Sequence, residues 1–282
     1  MSNIDLTIII SHYFTAGSKE SYKSFIQTLN KINSQSDGYN IEIIIADDGS
    51  DYSKNIIDNY SEKINIPDDE RTLFILKDQI LKTHLESINI NNRQIVKWLY
   101  IPKTKPCMSK ARLWNYGIEY SNSDKLFFLD DDNYFISKNS ISSLLDLFKK
   151  YPIIFGQIKD NNGRFRSYNS TRVQGTTFGI KKEILQSIKG FGIWTEKTSC
   201  GIDSDLWIKL FDYNNKNDVN TCYTNKVSTF DSCSKRWKKY TKFFKDFKVR
   251  KEFMNLYGIK NYKNSKYNPS RNKSLWIENL II

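Results

Sequence analysis

Three acidic clusters hold the residues of this chain best suited to chemistry. They are Asp47-Asp48 followed by Gly49-Ser50, then Asp130-Asp131-Asp132, then Asp203 with Asp205. Adjacent carboxylates repel one another, so the triple Asp needs a cation or hydrogen-bond donors nearby. Mg²⁺ and Mn²⁺ take oxygen ligands and often bridge one or two carboxylates to a substrate diphosphate. The alternative is a solvated turn ahead of a helix capped by Ser137 or Asn139. At Asp47-Asp48-Gly49-Ser50 one carboxylate could accept a hydrogen bond from a nucleobase N–H while glycine lets the backbone approach. A plain turn favours the same residue types. Asp203 could serve as a general base at the mouth of a site, and ordinary helix capping is its alternative.

Each of the first two clusters follows an apolar run. Leu6–Ser11 (LTIIIS) and Ile41–Ala46 (IEIIIA) are apolar runs rich in β-branched isoleucine, as in strands buried on both faces. Lys125–Leu129 (KLFFL) runs straight into Asp130, and Leu73–Leu76 and Val96–Ile101 are further strands. Residues 19–33 place Tyr22, Phe25, Ile26, Leu29 and Ile32 at helical spacing. Ser53–Tyr60 and Ser109–Tyr120 also read as helices, and residues 77–93 are ambiguous. This alternation predicts an α/β fold with a mostly parallel sheet and flanking helices. Ligands bind such sheets beyond the carboxyl ends of the strands, where both acidic clusters lie.

The second half is less regular. Ser140–Lys150 predicts a helix stopped by Pro152. Ile153–Ile158 and Arg164–Tyr168 flank Asn161-Asn162-Gly163, a hairpin signal. Gly175–Ile180 reads as a short strand and Lys182–Ile188 as a short helix closed by Gly190. A further helix is expected from Asp205 to Phe211.

Among 282 residues, 39% are hydrophobic and 14% aromatic, which is too rich for a disordered chain. No apolar run approaches the ~20 residues that cross a bilayer. The chain enters its first strand by Leu6 without a signal-like segment, and Cys107, Cys200, Cys222 and Cys233 form no CxxC pair. A cytoplasmic protein without a zinc site is the expectation. Charge is uneven: Lys235–Ile282 holds 14 Lys/Arg and 3 Asp/Glu, a balance of 14 − 3 = +11 out of a total of +12. Within it Trp237, Tyr240, Phe244 and Phe247 share one helical face. This basic stripe suits either an anionic membrane surface or docking on the protein's own body. Single-stranded nucleic acid fits less well, because no RNA-binding motif accompanies it, and none is expected as a partner.

In this order the clusters resemble the inverting family-two glycosyltransferases of GT-A fold, over about residues 4–212. IIIADDGSD (Ile43–Asp51), KARLWNYGIEY (Lys110–Tyr120) and FLDDDN (Phe128–Asn133) are similar to that family's motifs. So are GTTFGIKKEIL (Gly175–Leu185), the Gly190-Phe191 pair and CGIDSDLWIKLF (Cys200–Phe211). The resemblance implies a Rossmann-like GT-A domain over 1–234, with a nucleotide-sugar half (about 1–135) and an acceptor half (about 136–234). A helical basic extension, 235–282, would follow. It implies that Ser11 and Tyr13 lie in the nucleotide loop and that Asp48 bonds the base. Asp130 or Asp131 would meet ribose, and Lys110 and Arg112 would approach the diphosphate. Asp132 would hold Mn²⁺ or Mg²⁺, and Asp203 would be the catalytic base. Trp194 would meet the acceptor, and Asp205 would orient the helix or bind acceptor.

Two departures stand out. Ile202 occupies the place of a usual Glu, and the only histidines, His12 and His84, leave no downstream metal ligand. Asp231 or Ser232 lies in about the right region to substitute. The implied reaction moves a sugar from a nucleotide donor, with UDP the expected nucleotide, to a glycan or lipid-linked glycan. Competing expectations are a sugar-phosphate nucleotidyltransferase, whose glycine-rich phosphate loop is missing from Ser11–Ser18, and an inactive binding or membrane-adaptor protein.

Overall fold

A computed structural model describes residues 4–15, 19–54, 57, 59, 61–67, 69–87, 94–103, 108–166, 175–232, 239–260 and 279–281. The first half runs β1 (Leu6–His12), α1 (Lys19–Asn33), β2 (Ile41–Asp47), a 3₁₀ turn (Asp51–Ser53), β3 (Glu62–Asn65), β4 (Thr72–Lys77), α2 (Asp78–Ser87), β5 (Ile95–Tyr100), α3 (Lys110–Tyr120), β6 (Lys125–Asp130) and β7 (Asn133–Phe135). The second half runs α4 (Ser140–Phe148), β8 (Ile153–Asp160), β9 (Phe178–Lys181), α5 (Lys182–Ser187), α6 (Thr195–Thr198), α7 (Ile202–Asn217), β10 (Thr221–Asp231), α8 (Lys239–Tyr257) and β11 (Asn279–Ile281).

Continuous apolar runs make the centre of the sheet. β6, β1, β2 and β5 lie side by side and parallel. Successive side chains leave a strand on opposite faces, so each run feeds two cores. Ile8 and Ile10 join Phe25, Leu29 and Ile32 of α1. Ile9 joins Ala111, Leu113, Trp114 and Ile118 of α3 on the other face. Gly117 lets α3 pack closely there, because a Cβ would lie 3.0 Å from Ile9. Beyond the parallel core, β4 and β3 extend one side and β9, β8, β10 and β11 the other, partly antiparallel.

Register sets the site. Ser11 pairs with Asp130 on one side, and His12 pairs with Asp47 on the other. The strands therefore end level, and both acidic turns open onto one edge.

Four strands among the described residues, β3, β7, β10 and β11, escape a reading of the sequence. β3 (EKIN) is a largely exposed edge with no apolar signal. β7 lies within the polar turn after the acidic triple. β10 (TCYTNKVSTFD) buries Thr224, Ser228 and Thr229, so polar residues mask a strand that is paired on both sides. The hairpin turn forms at Gly163 (φ +82°), where Lys159 bridges Phe165. Its second strand was expected to reach Tyr168, which lies outside the described residues. The expected Ser53–Tyr60 helix also falls partly outside them, as do Cys107, Cys233 and Trp237. His84 is a packing residue, edge-on to Trp98 at 5.4 Å, and burial pushes its imidazole down to about 4.

The basic segment returns to the body. Val249 and Phe253 of α8, with Ile259, pack against Ile208 of α7. β11 pairs in parallel with β10. The side chains of Tyr240 and Phe244 lie outside the described residues, and Phe247 is 67% exposed. The face of α8 that docks on the body thus runs through Val249 and Phe253, away from Phe247. No helix among the described residues is long and apolar enough to cross a membrane.

Candidate active site

Asp47 and Asp48 have separate duties. Asp47 is fully buried and accepts hydrogen bonds from Ser50 N–H (2.8 Å) and Trp98 Nε1–H (3.0 Å), which fixes the turn after β2. Gly49 sits at φ +83°, and a Cβ there would meet the Lys103 backbone nitrogen at 2.4 Å. Only glycine fits this close approach. Asp48 accepts from Ser109 N–H (3.0 Å) and pairs with the Lys103 ammonium. Burial pushes its carboxyl above the ordinary range, and Lys103 opposes that rise. The same ammonium lies 4.6 Å over the Tyr13 ring. Tyr13, Asp48 and Lys103 make a corner with an aromatic face, an acceptor and a donor. Sequence reasoning missed Lys103, because a lysine in a loop carries no signal of its own.

The acidic triple after β6 divides in the same way. Asp131 is 3% exposed and bonded to His12 Nδ1 (2.8 Å) and Tyr13 N–H (3.2 Å). His12 Nε2 meets the Tyr52 hydroxyl at 2.6 Å. Asp131 therefore ties the ends of β1 and β6 together, which corrects its expected place against a ligand. Asp130 is the more open member. It accepts from Ser11 Oγ–H (2.5 Å) and pairs with Lys110, whose ammonium lies 4.2 Å from the Trp114 ring. Ser11 accordingly meets Asp130 at the strand ends.

Asp132 begins the turn into β7. Its Oδ1 accepts from Asn133 Nδ2–H (2.9 Å), and its carbonyl accepts from Ser232 N–H (3.1 Å). Asn133 Oδ1 is buried without a hydrogen-bond partner. This oxygen and the Asp132 carboxylate are donors of the type hard cations take. Asp231 stands opposite Asn133 in the β7–β10 register, but its carboxylate is engaged by Arg166, which also bonds Asp160 (2.8 Å). The Ser232 hydroxyl lies 3.1 Å from that of Ser24. Neither residue is set up as the missing metal ligand. Among the described residues no three His, Cys, Asp or Glu side chains group around a metal position.

Asp203 comes from the other half of the chain. α7 starts three residues earlier than its apolar pattern suggests, after Gly201 at φ +97°, so Asp203 and Asp205 both fall in its first turn. Asp203 is half-buried, and its carboxyl is pushed up to about 6. Desolvation is the chief cause, Lys110 and Arg166 pull the other way, and the Asp130 charge adds to the rise. Gly175 makes the position possible, because a Cβ there would lie 1.9 Å from Asp203 Oδ1. The next residue, Thr176, accepts the Asp130 N–H at 2.9 Å through Oγ1. Thr177 follows with φ +61°, a left-handed conformation that costs energy in a threonine. The Gly175–Thr177 strap thus lies against Asp203 and holds the Asp130 backbone.

Three other expected site residues lie elsewhere. Arg112 bonds Glu196 (3.2 Å) and lies 3.6 Å from Asp69. Arg71 completes this buried network, bonding Glu196 (3.0 Å) and Ser109 Oγ (2.6 Å) and holding the Asp69 carboxyl well below the usual range. Arg112 braces α3 against α6. Asp205 has no exposed surface. It accepts from Gly192 N–H (2.8 Å), Trp194 Nε1–H (2.8 Å) and Lys209 (2.9 Å), and from the Tyr257 hydroxyl. It orients the helix, and no acceptor can reach it. Trp194 is half-buried between Asp205 and Phe253 (ring centroids 5.4 Å), leaving part of its ring for a ligand. Ile202 is 5% exposed and belongs to the core, so the position of the usual Glu does not face the site.

Comparisons with known proteins bear on the fold and the family resemblance. Residues 7–80 match the family model described as Glycosyl transferase family 2, which bears out the resemblance read from the sequence. No curated protein matches the chain by sequence. Among solved structures, S. aureus TarS is similar at 13% identity and a TM-score of 0.50, over 92% of this chain and 41% of TarS. Its 1–349 fragment is similar at 13% identity and 0.50, over 95% and 71%. The mannosyltransferase PcManGT from Pyrobaculum calidifontis, solved with GDP-Man and Mn²⁺, is similar at 14% identity and 0.51, over 82% and 58%. The chain spans less than two thirds of TarS and of PcManGT. The fold is that of the GT-A glycosyltransferases.

Proposed function

We propose that this chain, with its family-two segment at 7–80 and its GT-A fold, is an inverting, metal-dependent glycosyltransferase. It moves a sugar from a nucleotide-diphosphate donor, which we take to be a UDP-sugar, to a hydroxyl of a glycan or lipid-linked glycan. The observation that carries this reading is Asp203: a half-buried carboxylate raised to about 6, held by Gly175 across from the Asp130–Lys110 pair.

The geometry supports the following roles. Tyr13 offers a face to the base, Asp48 accepts its ring N–H, and Lys103 donates beside it. Asp130 meets ribose. Asp132, with the unpartnered Asn133 oxygen beside it, would hold Mn²⁺ or Mg²⁺, and diphosphate and water would complete the shell. When bound, the cation would act as a Lewis acid on the leaving diphosphate. Lys110 adds a fixed positive charge on the same side. Asp203 takes the proton of the acceptor hydroxyl as that oxygen bonds the anomeric carbon and the bond to diphosphate breaks.

The test is thermal stabilisation by a panel of UDP- and GDP-sugars, with and without Mn²⁺. A ligand at about a hundred times its Kd adds about 2.7 kcal/mol to stability. A UDP-sugar is expected to raise the midpoint most. A panel without any shift would sink the reading, and a GDP-sugar winning would move the donor. Asp132→Ala is expected to abolish the Mn²⁺-dependent gain in UDP affinity, and an unchanged UDP titration would remove that residue from the metal site.

We further propose that the basic segment brings the enzyme to the cytoplasmic face of an anionic membrane. Phe247, Met254 and Leu256 are exposed on α8 beside exposed Lys248, Arg250 and Lys251. Reversing those three charges should reduce sedimentation with phosphatidylglycerol vesicles. Equal sedimentation of the variant would refute the membrane role.

A further inference from the structure

The first turn of α7 is gripped from two sides. Residues two apart on a helix point about 200° apart. Asp203 therefore faces the site while Asp205 faces the body, on one rigid turn. Asp205 N–H also closes the first helical bond, to Gly201 carbonyl oxygen at 2.9 Å.

What Asp205 meets is unusual in one respect: one of its donors comes from the far end of the chain. The Tyr257 hydroxyl, on the last residue of α8, donates to Oδ1, the atom that also accepts Trp194 Nε1–H. Burial and the neighbouring Asp205 charge both raise the Tyr257 phenol, so it stays a protonated donor. Val249 of the same helix lies against Gly201, where a Cβ would sit 3.3 Å from Val249 Cγ1 and 3.2 Å from Trp194. Gly192 is held as closely, because a Cβ there would lie 2.6 Å from Asp205 Oδ1. A buried carboxylate needs its donors, and losing one changes how the charge sits.

We infer that Tyr257 is a positioning residue for the base: through Asp205 it sets the orientation of the α7 turn that presents Asp203. This inference rests on Asp203 being the base. It gives the segment after the catalytic residues a part in the reaction besides any surface it meets. It also explains why the first turn tolerates Ile202 in the core, since Asp205 supplies the anchor.

The experiment compares full-length wild type, Tyr257→Phe, Phe253→Leu and Asp203→Asn in a transfer assay with the best donor. UDP affinity and thermal midpoint are measured alongside. Tyr257→Phe deletes one hydroxyl and should lower kcat about tenfold with UDP affinity unchanged, since small misplacements of a reacting group are costly. Phe253→Leu loosens the packing of α8 beside Trp194 and Tyr257 but leaves every donor to Asp205 in place, so it should lower the midpoint and cost kcat less than Tyr257→Phe. Normal kcat in Tyr257→Phe, or equal kcat losses in both α8 variants tracking the midpoint, would overturn the inference. An active Asp203→Asn would instead sink the reading it rests on, so the two failures are distinct.

Discussion

Asp203→Asn is expected to fold, to bind donor as tightly as the native chain, and to lose transfer by roughly 10²–10⁴-fold, the usual worth of a placed general base. Asparagine keeps the shape and the hydrogen-bonding reach but cannot accept the acceptor's proton. The raised carboxyl makes two companion effects. The native rate should climb as pH rises through about 6, where Asp203 ionises. Stability should move the other way. The folded state holds the proton to about 6 while the unfolded chain releases it near 3.8, so between those values the folded state binds more protons. Stability contributed by that proton is present at low pH and is lost as pH rises through the folded value. Asp203→Asn removes the penalty and should melt higher than native at pH 8. Each kcal/mol recovered is worth about 2–4 °C in a chain of this class. Below pH 4 the difference should vanish. A variant that turns over near normally, or that melts lower at pH 8, would contradict the assignment.

Gly175→Ala is expected to be nearly as damaging without altering any chemical group. The added methyl would overlap Asp203 Oδ1 at 1.9 Å and its Cγ at 2.3 Å. Either the carboxylate turns away or the strap moves, and the strap also holds Asp130 through Thr176. A displacement of this size costs about 10²-fold in rate. UDP affinity should fall much less than kcat, because Tyr13, Asp48 and Lys103 stand on other segments. Gly163→Ala is the control: nothing lies within 4 Å, but φ is +82°. It should cost stability of about 1–2 kcal/mol, as left-handed backbone does with a side chain, and leave kcat alone. Equal kcat losses at both glycines would show that the Gly175 effect is only backbone strain.

How far the sequence reveals this arrangement depends on what each residue does with its neighbours. The parallel core is legible because LTIIIS, IEIIIA and KLFFL are apolar on both faces. The acidic turns are legible because each such run ends abruptly in Asp. β10 is hidden because threonine and serine take several of its buried positions, where Thr229 meets Thr177 of the strap (2.6 Å). The division of labour within each cluster is hidden too. Asp47 and Asp131 turn inward to Trp98 and His12, while Asp48 and Asp130 turn to Lys103 and Lys110. Only the positions of Trp98 and His12 in space decide that. Arg112 and Asp205 fit familiar motifs, yet their partners, Glu196 and Tyr257, lie far along the chain. Lys103 and Gly175 have no local signal at all, since one matters for where its ammonium reaches and the other for the side chain it lacks.

The central claim is that one carboxylate base acts opposite the leaving diphosphate. The most direct measurement is the configuration of the first product formed from the best α-linked nucleotide sugar with Mn²⁺, followed by proton NMR at the anomeric position. A single in-line displacement predicts a β-configured product, formed by the native chain and not by Asp203→Asn. An α-configured first product would contradict the account.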